Sequence, residues 1–162
     1  EWSNEYDRDF YEIISKEKEK TLAAIAIGRN DKKPRKDLIN WKQSKEFYSF
    51  FYEETFKYED EFPENIDRET AKIILEKYLE TLNFSDTQEE WFAKVRQIAE
   101  DLGFAVQMKK YKESPEAYRG SVADVSNVIR VAISGRRNSP DLWLISQIIG
   151  EDVVRKRIEN FI

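Results

Sequence analysis

Apolar residues recur at helical spacing along most of this chain. Between residues 67 and 82 they follow an i, i+3, i+4, i+7 pattern, and a second such run covers residues 87–102. The same period recurs in shorter runs, at 7–18, 20–27, 121–134, 139–149 and 151–162. No stretch shows a convincing strand pattern. The hydrophobic pattern therefore predicts an all-α protein.

Several residues indicate where these helices begin and end. Asp67 precedes the first long run, and Ser85 lies three residues before Gln88, the spacing of a capping box. Gly135 follows an apolar run, where a residue in the left-handed conformation commonly ends a helix. Ser139 followed by Pro140 is typical of an N-cap and the first helical position. We therefore expect helices to start near 67, 85 and 139.

An acidic, proline-broken stretch, residues 58–65, is the best internal boundary in the chain. It divides the sequence into a first helical subdomain at 1–65 and a second at 66–162. Because acidic residues repel phosphate, we expect this stretch to stay away from any nucleic acid. Aromatic and apolar residues at helical spacing in the first subdomain are expected to form its core: Leu38, Trp41, Phe47, Phe50, Phe51 and Phe56.

Composition excludes several classes of site. The chain has no cysteine and no histidine, so disulfides, thiolate metal sites and histidine-based catalysis are impossible. No apolar run approaches the roughly 18 residues that span a bilayer. The formal net charge is −5, but residues 105–162 hold 10 Lys and Arg against 7 Asp and Glu. An anionic partner is therefore expected to dock on the C-terminal third.

A basic turn, residues 136–138, separates two predicted helices. From residue 125 to 140 there are three arginines and no acid. The planar guanidinium of arginine and the N–H groups of a helix N-terminus can both donate to phosphates and base edges. RNA is recognised by sequence mainly in single-stranded loops. The alternative is that Arg136 and Arg137 only solubilise the turn while Arg130 packs against an acid. A second basic loop leaves the same choice open, with Arg29, Lys33 and Arg35 as weaker RNA candidates.

Catalytic motifs are not evident. The five glycines are isolated, so no phosphate-binding glycine loop is present. Paired acids such as Glu89 and Glu90 are expected on solvated helix faces. No lysine lies in the apolar context that covalent catalysis requires. The residues alone indicate a helical binding or interaction domain.

Three segments of the C-terminal part resemble the end of bacterial glutamyl-tRNA synthetase: 128–135, 139–143 and 149–157. The match lies in their order, spacing and residue types, beginning with Val-Ile-Arg-Val-Ala-Ile-Ser-Gly. Upstream, Trp91 before Leu102-Gly103 is similar to the same family's Trp-then-Leu-Gly pattern. The segments 33–41 and 50–54 resemble versions of the enzyme from clostridia-like bacteria. The resemblance extends over the chain and is strongest at residues 87–162.

The resemblance implies a fold of two small helical bundles in tandem, of the class I aminoacyl-tRNA synthetase anticodon-binding type. The family's catalytic motifs are absent, so the chain alone is expected to be inactive and to hold no metal or cofactor. ATP and Mg²⁺ would belong to the catalytic core of the parent enzyme, attached in cis. The implied partner is the anticodon loop of tRNA(Glu), without DNA or membrane, for a monomeric, cytoplasmic bacterial ligase.

The resemblance also implies roles for individual residues. Arg130 matches an arginine that contacts anticodon bases, and Asn127 falls at a polar contact position. Arg136 and Arg137 would engage phosphates or base edges. Arg29 is the nearest candidate for an arginine of the first bundle that discriminates the third anticodon base. The turn and helix start that pack around the anticodon correspond to Ser139, Pro140 and Leu142.

Two other functions stay open at this point. The chain could be a protein-interaction domain whose basic turn docks on an acidic partner. A stand-alone enzyme is the third interpretation. The sequence also leaves open whether a parent ligase charges tRNA(Gln) as well as tRNA(Glu).

Overall fold

The computed structural model of the chain describes residues 2–29, 32 and 40–162. These residues contain ten α-helices. In chain order they are α1 (Trp2–Tyr6), α2 (Arg8–Lys16), α3 (Lys18–Ala26), α4 (Ser44–Tyr48), α5 (Arg68–Thr81), α6 (Gln88–Asp101), α7 (Met108–Glu113), α8 (Val122–Ser134), α9 (Leu142–Ile149) and α10 (Glu151–Glu159). Short 3₁₀ turns cover Trp41–Gln43, Ser49–Phe51 and Pro115–Ala117.

The all-α prediction is confirmed for the described part of the chain. Extended backbone pairing there is limited to an isolated bridge between Ala105 and Ser121. It joins the loop after α6 to the start of α8, since the Ala105 N–H donates to Gly120 and the Val122 N–H to Ala105. The helical spacing of apolar residues thus determined the fold class correctly.

Side-chain caps set the starts of the long helices. Asp67 caps α5 as predicted, accepting from the Thr70 N–H at 2.8 Å and from the Thr70 hydroxyl at 2.9 Å. These two hydrogen bonds lower the pKa of Asp67. The predicted capping box at Ser85 is wrong, because α6 begins two residues later. Thr87 is its N-cap, and the Glu90 carboxylate returns to the Thr87 N–H at 2.8 Å. The Glu90 N–H in turn donates to the Thr87 hydroxyl at 3.3 Å. The Thr-x-x-Glu spacing thus pairs the N–H groups of both residues, which favours Thr87 over Ser85 as the cap.

This cap gives a direct test of the helix start. Replacing Thr87 with Ala is expected to lower the free energy of unfolding by about 1 kcal/mol, because the α6 N-terminus loses its side-chain acceptor. Ser85→Ala is the matched control and is expected to change it by less than about 0.5 kcal/mol. Urea denaturation of both variants makes the comparison. Equal losses would contradict the assignment of Thr87 as the cap.

The first compact unit comprises residues 1–57 and 138–150. Its helices α1, α2 and α3 pack in sequence, and α9 packs on α3 and on the 3₁₀ turn Ser49–Phe51. Phe10 and Tyr52 meet edge to face at 6.3 Å, and the Tyr52 hydroxyl lies 2.8 Å from the Thr21 hydroxyl.

The aromatic residues of the first unit supply part of its core, as predicted. Phe50 and Phe51 are buried, whereas Phe47 and Phe56 are half-buried. Their segment is a short α-helix between two 3₁₀ turns. Leu38 and the Trp41 side chain lie outside the described residues.

The second compact unit comprises residues 58–137 and 151–162. Helix α8 is its centre, since α5, α6 and α10 all pack against it. Val125, Val128 and Ile129 are completely buried, as are Ala132 and Ile133 further along the same helix. Such a helix is apolar over most of its circumference, so its few accessible positions are conspicuous.

The two units interleave along the sequence. The first boundary falls between residues 57 and 58, before the acidic stretch and not after it, and residues 138–150 return to the first unit. The predicted division at 65/66 thus differs from these units. Local composition could mark the acidic stretch as a boundary but could not indicate which side it packs with.

Candidate nucleic-acid interface

Helix α8 carries a narrow accessible stripe on an otherwise buried surface. Ala123 is exposed, while Asp124, Ser126, Asn127 and Arg130 are half-buried. Positions 123, 127 and 130 are spaced by four and three residues, and therefore lie along one face of the helix. Asn127 and Arg130 therefore lie about one helical turn apart on this face. Both were predicted as RNA contacts, and the structure brings them to the same face.

The C-terminus of α8 ends as the sequence predicts. Gly135 has a φ of 72°, in the left-handed region, and its N–H donates to the Val131 carbonyl at 2.8 Å. The Ser134 hydroxyl donates to the Arg130 carbonyl at 2.8 Å. The helix end is therefore well bonded, and it delivers the chain directly into the basic turn.

An acidic segment, residues 59–62, lies against this helix end. The N–H groups of Glu59 and Asp60 both donate to the Gly135 carbonyl, each at 2.9 Å. Arg136 donates to the Glu59 carboxylate at 2.8 Å, with only 13% of the Arg136 side chain exposed. The sequence predicted that this acidic stretch would avoid nucleic acid. It did not indicate that the stretch would contact the arginines.

Arg137 is bonded to the same segment through three donors. Its main-chain N–H donates to the Asp60 carboxylate at 2.7 Å. Its Nε donates to the Glu61 carbonyl and its Nη2 to the Phe62 carbonyl, both at 2.8 Å. Main-chain carbonyls are fixed acceptors, so the guanidinium is held in one orientation while the residue remains exposed at the surface. The interpretation that Arg136 and Arg137 only solubilise the turn is therefore wrong.

The predicted helix start at Ser139 and Pro140 is also wrong. Helix α9 begins at Leu142, and Asp141 is its N-cap, accepting from the Leu144 N–H at 2.9 Å. Aspartate is as good an N-cap as serine, and Asp141 lies three residues before Leu144, whose N–H has no acceptor within the helix. Ser139 is buried, and its hydroxyl contacts the Pro140 carbonyl at 3.2 Å. Leu142 is buried too, with 3% of its surface exposed.

The weaker RNA candidates are only partly described. Arg29 is exposed and follows α3, and its N–H donates to the Ala26 carbonyl. Lys33 and Arg35 lie outside the described residues. The second basic loop therefore stays a prediction.

One buried cation was missed by the sequence analysis. Arg157, on α10, is 2% exposed and donates from Nη1 to the Ile133 carbonyl at 2.7 Å. Its target is one of the last carbonyls of α8, which have no partner within the helix. The spacing of Val154, Arg157 and Ile158 places all three on one helix face, which is the signal that could have identified it.

Metal and membrane sites are not evident among residues 2–29, 32 and 40–162. No group of three or more acidic side chains there is arranged to hold a metal ion. In the same part of the chain, no helix is both long enough and apolar enough to cross a bilayer.

Comparisons with known proteins identify the domain family of the C-terminal part. A family model described as an anticodon binding domain matches residues 108–162, which include α8 and the basic turn. Glutamate–tRNA ligase of Acetivibrio thermocellus is 45% identical over 161 residues, 99% of this chain and 30% of that protein. The Sorangium cellulosum glutamate–tRNA ligase is 38% identical and the Clostridium perfringens strain 13 enzyme 37%, over 100% and 97% of this chain. No solved structure matches significantly.

Each match covers most of this chain but a small share of the relative. Nearly the whole chain aligns, yet the chain spans only 29–30% of the length of these three ligases. The resemblance inferred from the sequence is confirmed by these matches. The chain belongs to the glutamate–tRNA ligase family and corresponds to its C-terminal anticodon-binding region.

Proposed function

We propose that this chain binds the anticodon loop of tRNA(Glu) through the accessible stripe of α8 and the turn that follows it. The observation that carries this proposal is that Asn127 and Arg130, both half-buried, share the accessible face of α8, inside the region matched by the anticodon binding domain model. Arginine and amide side chains offer the donors and acceptors that base edges require.

Arg130 is the leading candidate for base contact. Arg130 is half-buried, and a partly confined side chain loses less entropy on binding than one in open solvent. Asn127 on the same helix face adds both a donor and an acceptor. Arg137 contributes through the N–H groups that its bonds to residues 60–62 leave unused, while Arg136 is largely occupied by Glu59. Ser139, Pro140 and Leu142 stay predictions of the sequence. All three are buried, so Arg130 and Asn127 carry the proposed contact.

The parent protein would be a ligase that attaches glutamate to tRNA. ATP and Mg²⁺ would be used in a catalytic core that lies outside this chain and is joined to it in cis. On this proposal the 162-residue chain is inactive alone, needs no cofactor, and comes from a monomeric cytoplasmic enzyme that does not bind DNA. The anticodon-binding role would select the tRNA while the chemistry takes place elsewhere.

Binding measurements test this function. The chain is titrated with a tRNA(Glu) transcript and with the same transcript carrying substituted anticodon bases, at two salt concentrations. We expect weaker binding of the substituted RNA at both salt concentrations. Both transcripts make the same phosphate contacts, but only the unsubstituted anticodon makes the base contacts. Equal affinity for the two transcripts would overturn anticodon recognition.

The rival function makes a different prediction in the same assay. A protein-interaction domain that docks an acidic partner would bind neither RNA, and its basic turn would need to be accessible to the partner's acids. In this chain that turn already contacts the acids of residues 59 and 60. The occupied turn is less available to a partner's acids, whereas the proposed RNA contacts depend mainly on Asn127 and Arg130 of the α8 stripe.

A further inference from the structure

The acidic segment is anchored on both sides. Toward α8 it is bonded to Gly135, Arg136 and Arg137. On its other side, the Phe62 and Tyr58 rings lie 5.0 and 4.9 Å from the Phe161 ring. Aromatic contacts of this kind add to the burial of the rings, so the segment is held by packing as well as by hydrogen bonds.

The C-terminal helix reinforces this anchor. The Tyr58 hydroxyl donates to the Arg157 carbonyl at 3.1 Å, while the Arg157 guanidinium donates to Ile133 near the end of α8. The acidic segment, α10 and the end of α8 are therefore connected through one set of hydrogen bonds. A segment fixed in this way is suited to support the turn, because it cannot leave without breaking both sets of contacts.

We propose that the acidic segment is a positioning element for RNA recognition, with Asp60 as the positioning residue that acts through Arg137. The Asp60 carboxylate accepts the Arg137 N–H at 2.7 Å and fixes the backbone just after the left-handed Gly135. The carbonyls of Glu61 and Phe62 then orient the Arg137 guanidinium. This inference rests on the proposed anticodon-binding function and assigns it a residue outside the predicted contact set.

The direction in which RNA affinity changes when Asp60 is removed distinguishes a positioning role from simple charge repulsion. An acid near an RNA site repels phosphate, so its removal ordinarily strengthens binding, most clearly at low salt. If Asp60 positions the turn, its removal weakens binding although the chain becomes less negative. Glu61 is the matched control, because it carries the same charge one residue away and contacts Arg137 through its main-chain carbonyl and not its carboxylate.

The experiment compares Asp60→Ala and Glu61→Ala in the 162-residue chain against tRNA(Glu) and the anticodon-substituted transcript. Asp60→Ala is expected to weaken binding of tRNA(Glu) about five- to tenfold, the net effect of one typical hydrogen bond, and to reduce the preference for the correct anticodon. Glu61→Ala should leave affinity unchanged or raise it. Asp60→Asn keeps an acceptor oxygen and should restore most of the loss.

Amide hydrogen exchange provides a readout that does not depend on RNA. The Arg137 N–H should be protected in the unmodified chain and in Glu61→Ala, and should exchange faster in Asp60→Ala. Unchanged exchange, or an equal affinity change in the two alanine variants, would overturn the inference alone. Failure of the unmodified chain to distinguish the two transcripts would overturn the proposed function, and this inference with it.

Discussion

Replacing Arg157 with Met is expected to lower the free energy of unfolding by about 2–3 kcal/mol. Methionine keeps most of the apolar stem of the side chain but has no donor for the Ile133 carbonyl, which Arg157 contacts at 2.7 Å. That carbonyl then stays buried without its partner at the end of α8. Because α8 is the helix against which α5, α6 and α10 pack, the loss is expected to affect the whole second unit.

Arg155→Met is the control for this variant. Arg155 lies two residues away on α10 and pairs with Glu151 at 2.7 Å, with 37% of its side chain exposed. An exposed pair one helical turn apart contributes about 0.3–0.5 kcal/mol, so this variant should be close to the unmodified chain. Thermal and urea unfolding of both variants measure the difference. Similar losses for Arg155 and Arg157 would contradict a structural role for the buried guanidinium.

Arg130→Ala is expected to weaken binding of tRNA(Glu) by about 1–3 kcal/mol, roughly five- to 150-fold, and to reduce discrimination at one anticodon position. An arginine that contacts a base strengthens binding of the preferred sequence alone, whereas an arginine that contacts a phosphate strengthens binding of every RNA. Binding isotherms with the cognate transcript and with single-base anticodon variants measure both quantities.

Arg96→Ala is the matched control for that experiment. Arg96 is an exposed arginine of α6, outside the predicted contact set, and its removal changes the net charge by the same amount. We expect a small, sequence-independent decrease in affinity from Arg96→Ala. If Arg130→Ala produced only the same uniform decrease, Arg130 would be a phosphate contact or no contact, and base recognition would lie elsewhere.

The helical fold followed from local patterns that the sequence contains. Apolar spacing located α5, α6 and α8, and Gly135 marked the end of α8 because a left-handed residue was needed there. The starts of α6 and α9 were misplaced, because several residues with capping side chains lie close together. Thr87 and Asp141 prevail where their oxygens reach an N–H three residues on, a geometric condition that composition does not specify.

The candidate site was only partly predictable. Arg130 and Asn127 share a helix face by spacing alone, so their proximity could be foreseen. The contact between the acidic segment and the basic turn joins residues separated by 75–77 positions. Opposite charges made such a pairing possible, but nothing local selected it from the many acids and bases in a chain with 36% charged residues.

Chemical footprinting of tRNA(Glu) by the 162-residue chain tests the central claim most directly. Single-stranded bases are probed for reactivity with and without the protein, and Arg130→Ala is probed in parallel. Binding through the α8 stripe predicts protection of anticodon-loop bases by the unmodified chain and weaker protection by the variant. Protection confined to other parts of the tRNA, or an anticodon loop equally reactive with and without protein, would contradict the account.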